Sequence, residues 1–332
     1  MTTAAFIGPK NDTLLNCYHD AFNAWSSDRF PGACRPIVID DWQDQDSISS
    51  VLNNSNPDIF LSFVPVSSTD LCCKQFKHSK KMLLFAPPLE TSAQAKKDLI
   101  KRCKKDRLSV GTLRPLRFSP GLAKVKEITE SRVLGELTEI KLNLADSDSL
   151  LLSSRGNDDP SDRYAGFNPK TLMHLLDCAH WLLPSGPARN LTEASITKQT
   201  ESEIHLNWQQ KDSEPISLQI TLKNPGGSAM SAEAIGECGH VVYEGPDSVN
   251  SGGQGKLIRH FSDSLNLRKN PGPIITPREQ PLTNCFNLMQ ISKHDNTCFD
   301  CFFHPAADIV YESTGLRTGG IQKSTPYTQF RF

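Results

Sequence analysis

Lys170, His174 and Asp177 stand four and three residues apart in the segment GFNPKTLMHLLDCAHWLLPSG, and Trp181 follows four residues later. Residues at this spacing share one face of an α-helix. Leu172, Leu175, Leu176, Ala179, Leu182 and Leu183 supply the apolar remainder that such a helix buries. An ammonium, an imidazole and a carboxylate in one line can take up, hold and return a proton, so the segment predicts general acid/base chemistry. A histidine on a helix also serves as a satisfied core residue, and that reading stands beside the catalytic one.

A second set of residues points to nucleotide phosphate. Ile7-Gly8-Pro9-Lys10-Asn11-Asp12-Thr13 follows a short apolar run, where the dinucleotide fingerprint G-x-G-x-x-G would fall. Gly8 keeps the first glycine, while Lys10 and Thr13 occupy the other two places. Lys10 offers an ammonium to phosphate and Asp12 opposes it. Gly8 alone is equally a tight turn without a ligand. Asp40, at the end of the next apolar run, stands where a carboxylate accepts bonds from ribose hydroxyls, or else in a solvated turn. That carboxylate repels a 2′-phosphate, so NAD(H) is favoured over NADP(H). The lost glycines predict weak binding, since a deficit of about 1.4 kcal/mol already costs tenfold.

In a parallel sheet, ligands gather at the carboxyl ends of the strands. Pro65 closes the third apolar run, and Ala86-Pro87-Pro88 closes the fourth within KKMLLFAPPLETSAQAKKDL. Pro65 and Pro87 therefore join Gly8, Lys10 and Asp40 as expected cofactor-lining positions, although neither carries an ionisable group.

Other clusters are read as packing. His294, Cys298, Cys301 and His304 have types that zinc accepts, yet Pro305 follows directly and Phe299, Phe302 and Phe303 interleave. No metal is expected. The net charge of −1 gives no general attraction to nucleic acid or to an anionic membrane, and the basic run 101–107 reads as the solvated end of a helix. No apolar run reaches the length of a membrane span. Ten cysteines behind a start without a basic leader read as reduced thiols in the cytoplasm.

The elements that must position these groups fall into two sets. Across the first 120 of 332 residues, apolar runs at Ala4–Ile7, Pro36–Ile39, Ile59–Val64, Met82–Phe85 and Leu108–Gly111 alternate with helical patterns. Leu14, Leu15, Tyr18, Phe22 and Trp25 carry the first of those patterns. This is an α/β arrangement with a Rossmann-type, doubly wound parallel sheet. From 121 to 332 the pattern changes to an α+β domain with an open, mostly antiparallel sheet. Ser119-Pro120 starts a helix to about Ser131. Alternation then appears at Ile140, Leu142, Leu144, at Ile204, Leu206, Trp208, and at Ile216, Leu218, Ile220, Leu222. Helices are expected around Leu257–Leu265 and Leu282–Ile291. One apolar face of so large a sheet requires cover by helices or by another subunit, so a homodimer or larger assembly through the open sheet is expected.

The runs NPDIFLSFVP, KKMLLFAPPLETSAQAKKDLIKRCKKDRLSVGT, RFSPGLAKVKEITESRVLGELTEIK and HLLDCAHWLLPSG, in that order, resemble the Gfo/Idh/MocA oxidoreductases, over about residues 4–186. The resemblance implies a Rossmann domain, a nicotinamide cofactor and a small sugar-like, carbonyl or imine substrate. It also assigns Arg117, of the matching Arg-Phe-x-Pro segment, to the cofactor site. Family members carry Glu-Lys-Pro at the fourth strand and Asp-x-x-x-His on the second-domain helix. Here the first is Ala86-Pro87-Pro88 and the Asp is Lys170, while His174 is kept. The resemblance thus implies a divergent NAD(P)-dependent oxidoreductase with altered acid/base residues, in which Lys170, His174 and Asp177 do the proton work. The alternative is a non-catalytic relative that serves as a ligand-binding or protein-interaction subunit.

Overall fold

A computed structural model describes residues 4–9, 13–29, 37–40, 44–63, 82–85, 105, 109–112, 114–145, 169–184, 191–199, 203–210, 214–223, 230–245, 254–261 and 272–278. The chain divides into two compact units, one running up to Arg114 and the other starting at Pro115. The expected helix over Leu282–Ile291 and the cluster from His294 to His304 lie outside the described residues.

The first unit is built on a five-stranded sheet, with β1 (Ala4–Ile7), β2 (Ile37–Ile39), β3 (Ile59–Ser62), β4 (Met82–Phe85) and β5 (Ser109–Thr112) in the order β2-β1-β3-β4-β5. Every pairing in it is parallel. All residues of β1 and β3 are buried, as are Leu83, Leu84 and Phe85 of β4. That is why these strands read as continuous apolar runs and not as alternation: a parallel strand inside the sheet has both faces covered. β2 is an edge strand and leaves Val38 exposed.

The helix α1 (Thr13–Arg29) turns Leu15, Tyr18, Phe22 and Trp25 into the core, and Phe22 meets Phe6 of β1 edge-on at 5.8 Å. Asp44 starts α2 (Gln45–Ser55) by accepting from the backbone N–H groups of Asp46 and Ser47 at 3.0 and 3.3 Å.

The second unit opens with a 3-10 turn, Pro115–Phe118, which leads into α3 (Pro120–Glu130). The Ser119 hydroxyl accepts from Leu122 N–H, and Pro120 sits where a missing donor costs nothing, so the start predicted from Ser-Pro is the observed one. Then come β6 (Leu137–Ala145), α4 (Pro169–Leu182), β7 (Leu191–Gln199), β8 (Glu203–Gln210), β9 (Ile216–Lys223), β10 (Met230–Gly236), β11 (Gly239–Glu244), β12 (Gln254–Phe261) and β13 (Ile274–Arg278).

The eight strands form one sheet in the order β13-β12-β11-β10-β6-β9-β8-β7. Only β6 and β9 run parallel; every other pair is antiparallel. On one face Leu142, Ile220, Leu206, Ala232 and Leu257 are fully buried. Helix α3 packs on β10–β13 and α4 on β6, so helices of the same chain cover the apolar face over those strands. The other face alternates to polar residues such as Glu139, Lys141 and Glu233.

One expectation is corrected. Residues 257–261 are the end of strand β12, not the start of a helix. Leu257 pairs with Tyr243, and the strand's inward positions are Gly255 and Leu257. Long-range pairing overrides a local apolar spacing that suits either structure.

Candidate active site

Helix α4 brings the proposed acid/base residues together, and its surroundings decide what each can do. Every residue from His174 to His180 is buried. The amphipathic face expected from the sequence is therefore enclosed, and His174 and Asp177 are each only 2% exposed.

Asp177 is held from the 3-10 turn. Arg117 Nε donates to its Oδ2 at 2.8 Å and Nη2 to its Oδ1 at 2.5 Å, with both side chains nearly excluded from solvent. The planar fork of a guanidinium matches the two oxygens of a carboxylate. Lys126 Nζ donates to Leu183 O, and Thr129 Oγ1 donates to Leu182 O at 2.7 Å. These two side chains of α3 thus satisfy carbonyls that the end of α4 leaves open. The helix bearing His174 is pinned both along its length and at its carboxyl end.

This geometry bears on two of the expected site residues. Both carboxylate oxygens of Asp177 accept from Arg117, a pairing that ties α4 to the 3-10 turn. Arg117, expected at the cofactor site, directs Nε and Nη2 to Asp177. Beside the pair, Cys178 is fully buried, and burial first, then the Asp177 carboxylate, pushes its thiol well up, with Arg117 opposing. Its thiol stays protonated and unreactive.

Lys170 lies in the first turn of α4, one turn before His174; its side chain lies outside the described residues, as do Lys10, Pro65 and Pro87 altogether. His180 was not singled out from the sequence. It is buried on the same helix and meets Trp208 of β8 edge-on at 6.3 Å. Its place six residues after His174, on a segment with few polar residues, was the available signal.

In the first unit, Gly8 directly follows β1 and Asp40 directly follows β2, side by side because Ile7 pairs with Ile39. A Cβ at Gly8 would lie 2.9 Å from Leu15 Cδ1 and 3.0 Å from Phe63 Cβ. Close packing of the turn against α1 and the end of β3 requires this glycine; phosphate is not needed to explain it. Asp40 is exposed. β2 and β3 lie on opposite sides of β1, so strand order reverses there, and in open α/β sheets that is where ligands bind. An exposed carboxylate at the end of β2 and a close turn leading to α1 fit a dinucleotide. Among the described residues, Gly8 and Asp40 are the groups that could hold one, and no cluster of His, Cys, Asp or Glu could hold a metal ion. No described helix is long and apolar enough to cross a membrane.

No family model and no curated protein matches the sequence. Solved structures do match over nearly the whole chain. An oxidoreductase from Agrobacterium radiobacter, in complex with NAD+, L-tartaric acid and magnesium, is 12% identical over 95% of this chain and 96% of its own, with a TM-score of 0.61. KijD10, a 3-ketoreductase from Actinomadura kijaniata in complex with NADP and TDP-benzene, is 11% identical over 95% of both chains, at 0.60. The WlbA dehydrogenase from Chromobacterium violaceum, in complex with NADH and UDP-GlcNAcA, is 14% identical over 95% of this chain and 86% of its own, at 0.52. A parallel sheet with a reversal at β1, followed by a large, mostly antiparallel sheet, is common ground with these proteins: the chain has the fold of the Gfo/Idh/MocA-type oxidoreductases.

Proposed function

We propose that the chain is a divergent NAD(P)-dependent oxidoreductase of the Gfo/Idh/MocA type, resident in the cytoplasm, acting on a small sugar-like, carbonyl or imine substrate. The observation that carries this reading is the placement of Gly8 and exposed Asp40 at adjoining strand ends beside the reversal of strand order. When bound, a nicotinamide cofactor supplies or accepts the hydride, and the protein supplies orientation and a proton.

Asp40 would bond the ribose hydroxyls, and the turn at Gly8 would pass beside the pyrophosphate. With Asp177 committed to Arg117, the proton falls to His174 and Lys170. His174 is held by a helix that Arg117, Lys126 and Thr129 fix in place, which limits loss of alignment. A lysine one turn earlier can take the place of the family's loop lysine. An iminium substrate would already be electrophilic and would need less proton assistance than a ketone.

The test is binding of the reduced cofactors, followed by nucleotide fluorescence. NADH is expected to bind more tightly than NADPH, and Asp40→Ala to erode that preference by removing the carboxylate that repels a 2′-phosphate. Failure of both cofactors to bind would overturn the oxidoreductase reading. Tighter binding of NADPH would remove the role given to Asp40. Given turnover, Lys170→Met should lower it about a hundredfold, as expected for a lost acid/base group. Unchanged turnover would take Lys170 out of the site.

A second reading, a non-catalytic ligand-binding or protein-interaction subunit, is favoured by one feature. The chain lacks the loop lysine, and the one carboxylate on the catalytic face of α4 is occupied by an arginine. The cofactor titration separates the two readings.

A further inference from the structure

On the polar face of the eight-stranded sheet, Glu139, Ile235, His240 and His260 are successive paired residues across β6, β10, β11 and β12. The two imidazoles stack, with ring centroids 4.4 Å apart and planes 25° from parallel. His240 is on the polar face because its neighbours Val241 and Tyr243 are buried on the other.

Charged groups near the pair come from β10, from β6 beyond it, and from the pair's own strands. From β10, Glu233 Oε1 lies 4.0 Å from His240 Nε2. From β6, Lys141 Nζ lies 3.5 Å from Glu233 and 3.3 Å from Glu139. Glu244 and Lys256, paired at 3.9 Å, stand farther along β11 and β12. Helix α3 packs on the opposite face.

Glu139, Glu233 and Lys141 together carry two negative charges and one positive, a net of −1. One proton on the histidine pair brings the cluster to neutrality. A second makes it positive and sets two cations ring against ring.

We propose that His240 and His260 are a proton-controlled latch across β11 and β12: carrying no more than one proton the rings stack and the strands stay closed, and the second proton parts them. Two unit charges about 4 Å apart repel, even in bulk water, by the equivalent of about fivefold in population. The direction of the titration agrees. Burial first, and then His260, holds His240 below the usual histidine range, with Glu233 opposing and Lys141 adding to the depression. A group depressed in the folded state contributes stability that is present above the ordinary histidine value, about 6.5, and is lost as the pH falls through the lower folded value.

The experiment is amide hydrogen exchange on the full chain at about pH 7.5 and about pH 5, corrected for intrinsic rates. Opening of residues 239–244 and 254–261 is expected to be about fivefold more frequent at the lower pH, with residues 216–223 showing no such change. His260→Phe keeps a ring for His240 to stack on and removes the second charge, so the pH response should vanish. If that variant does not fold, His240→Phe is judged by the same criterion. An equal opening rate at both pH values in the wild type, or a full response in the folded phenylalanine variant, overturns the proposal.

Discussion

Asp177→Ala is expected to destabilise the second unit by about 3–5 kcal/mol, because it leaves the Arg117 guanidinium buried without its carboxylate. Asp177 and Arg117 are 3% and 8% exposed at their side chains, so water cannot replace the lost partner without opening the packing around α4. The loss should be non-additive. Arg117→Met alone strands the carboxylate, whereas Arg117→Met with Asp177→Leu removes both charges and restores much of the stability. Urea unfolding followed through Trp181 and Trp208, which lie on α4 and β8, measures each loss. A single-variant cost below about 1 kcal/mol would put the pair in the class of exposed ion pairs. The double variant would then have nothing to restore.

The other large effect is expected at Gly121, in the first turn of α3. A Cβ there would lie 2.0 Å from Cε2 of Tyr243 and 2.4 Å from its Cζ. The ring has little room to retreat, because a Cβ at Gly255, on the neighbouring strand β12, would lie 2.5 Å from the same Cε2. The tyrosine thus lies in a slot made by small residues and is 2% exposed. Gly121→Ala should cost at least about 1–3 kcal/mol, the range typical of overpacking, since helix and sheet must separate to admit the methyl group. Tyr243→Ala costs stability by leaving a cavity. In that background, however, Gly121→Ala should be nearly harmless or favourable, because alanine suits a helix better than glycine. A thermal-unfolding double-mutant cycle with no coupling between the two positions would show that the ring is free to move aside.

How much of this was legible in the residues depends on how local the cause is. β1, β3 and β4 announce themselves as unbroken apolar runs, because both of their faces are buried. The start of α3 is written in Ser119-Pro120, where one hydroxyl and one missing N–H meet the needs of a helix terminus. β10 is less visible. Its buried positions include Ala232 and Ala234, small residues that favour helix as readily as strand. Its place comes from pairing with β6 and β11 on either side.

The site shows the same division. His174 and Asp177 on one helix follow from spacing alone. The fate of Asp177 does not, because its partner Arg117 is 60 residues earlier and the match is between shapes brought together by folding. Gly8 was read through a motif for phosphate. The structure adds a packing requirement from Leu15 and Phe63, one on the next helix and the other beyond β3, which no fingerprint contains.

The single parallel pairing of β6 with β9 also bears on how fast the larger sheet can form. β7, β8 and β9 can zip as one run of antiparallel neighbours, and β10 to β13 as another. Neither run needs a distant part of the chain. β6 stands between them, with Leu142 set against Ile220 on one side and Ala232 on the other, yet it precedes both in sequence. Joining them therefore closes loops that already contain α4 and whole strands, and the entropy of that closure is lost before its contacts are gained. The sheet's centre is thus its slowest seam. Until β6 is seated, the facing edges of β9 and β10 are unpaired strands in search of a neighbour, the condition in which a chain of this kind is most exposed to pairing with another molecule.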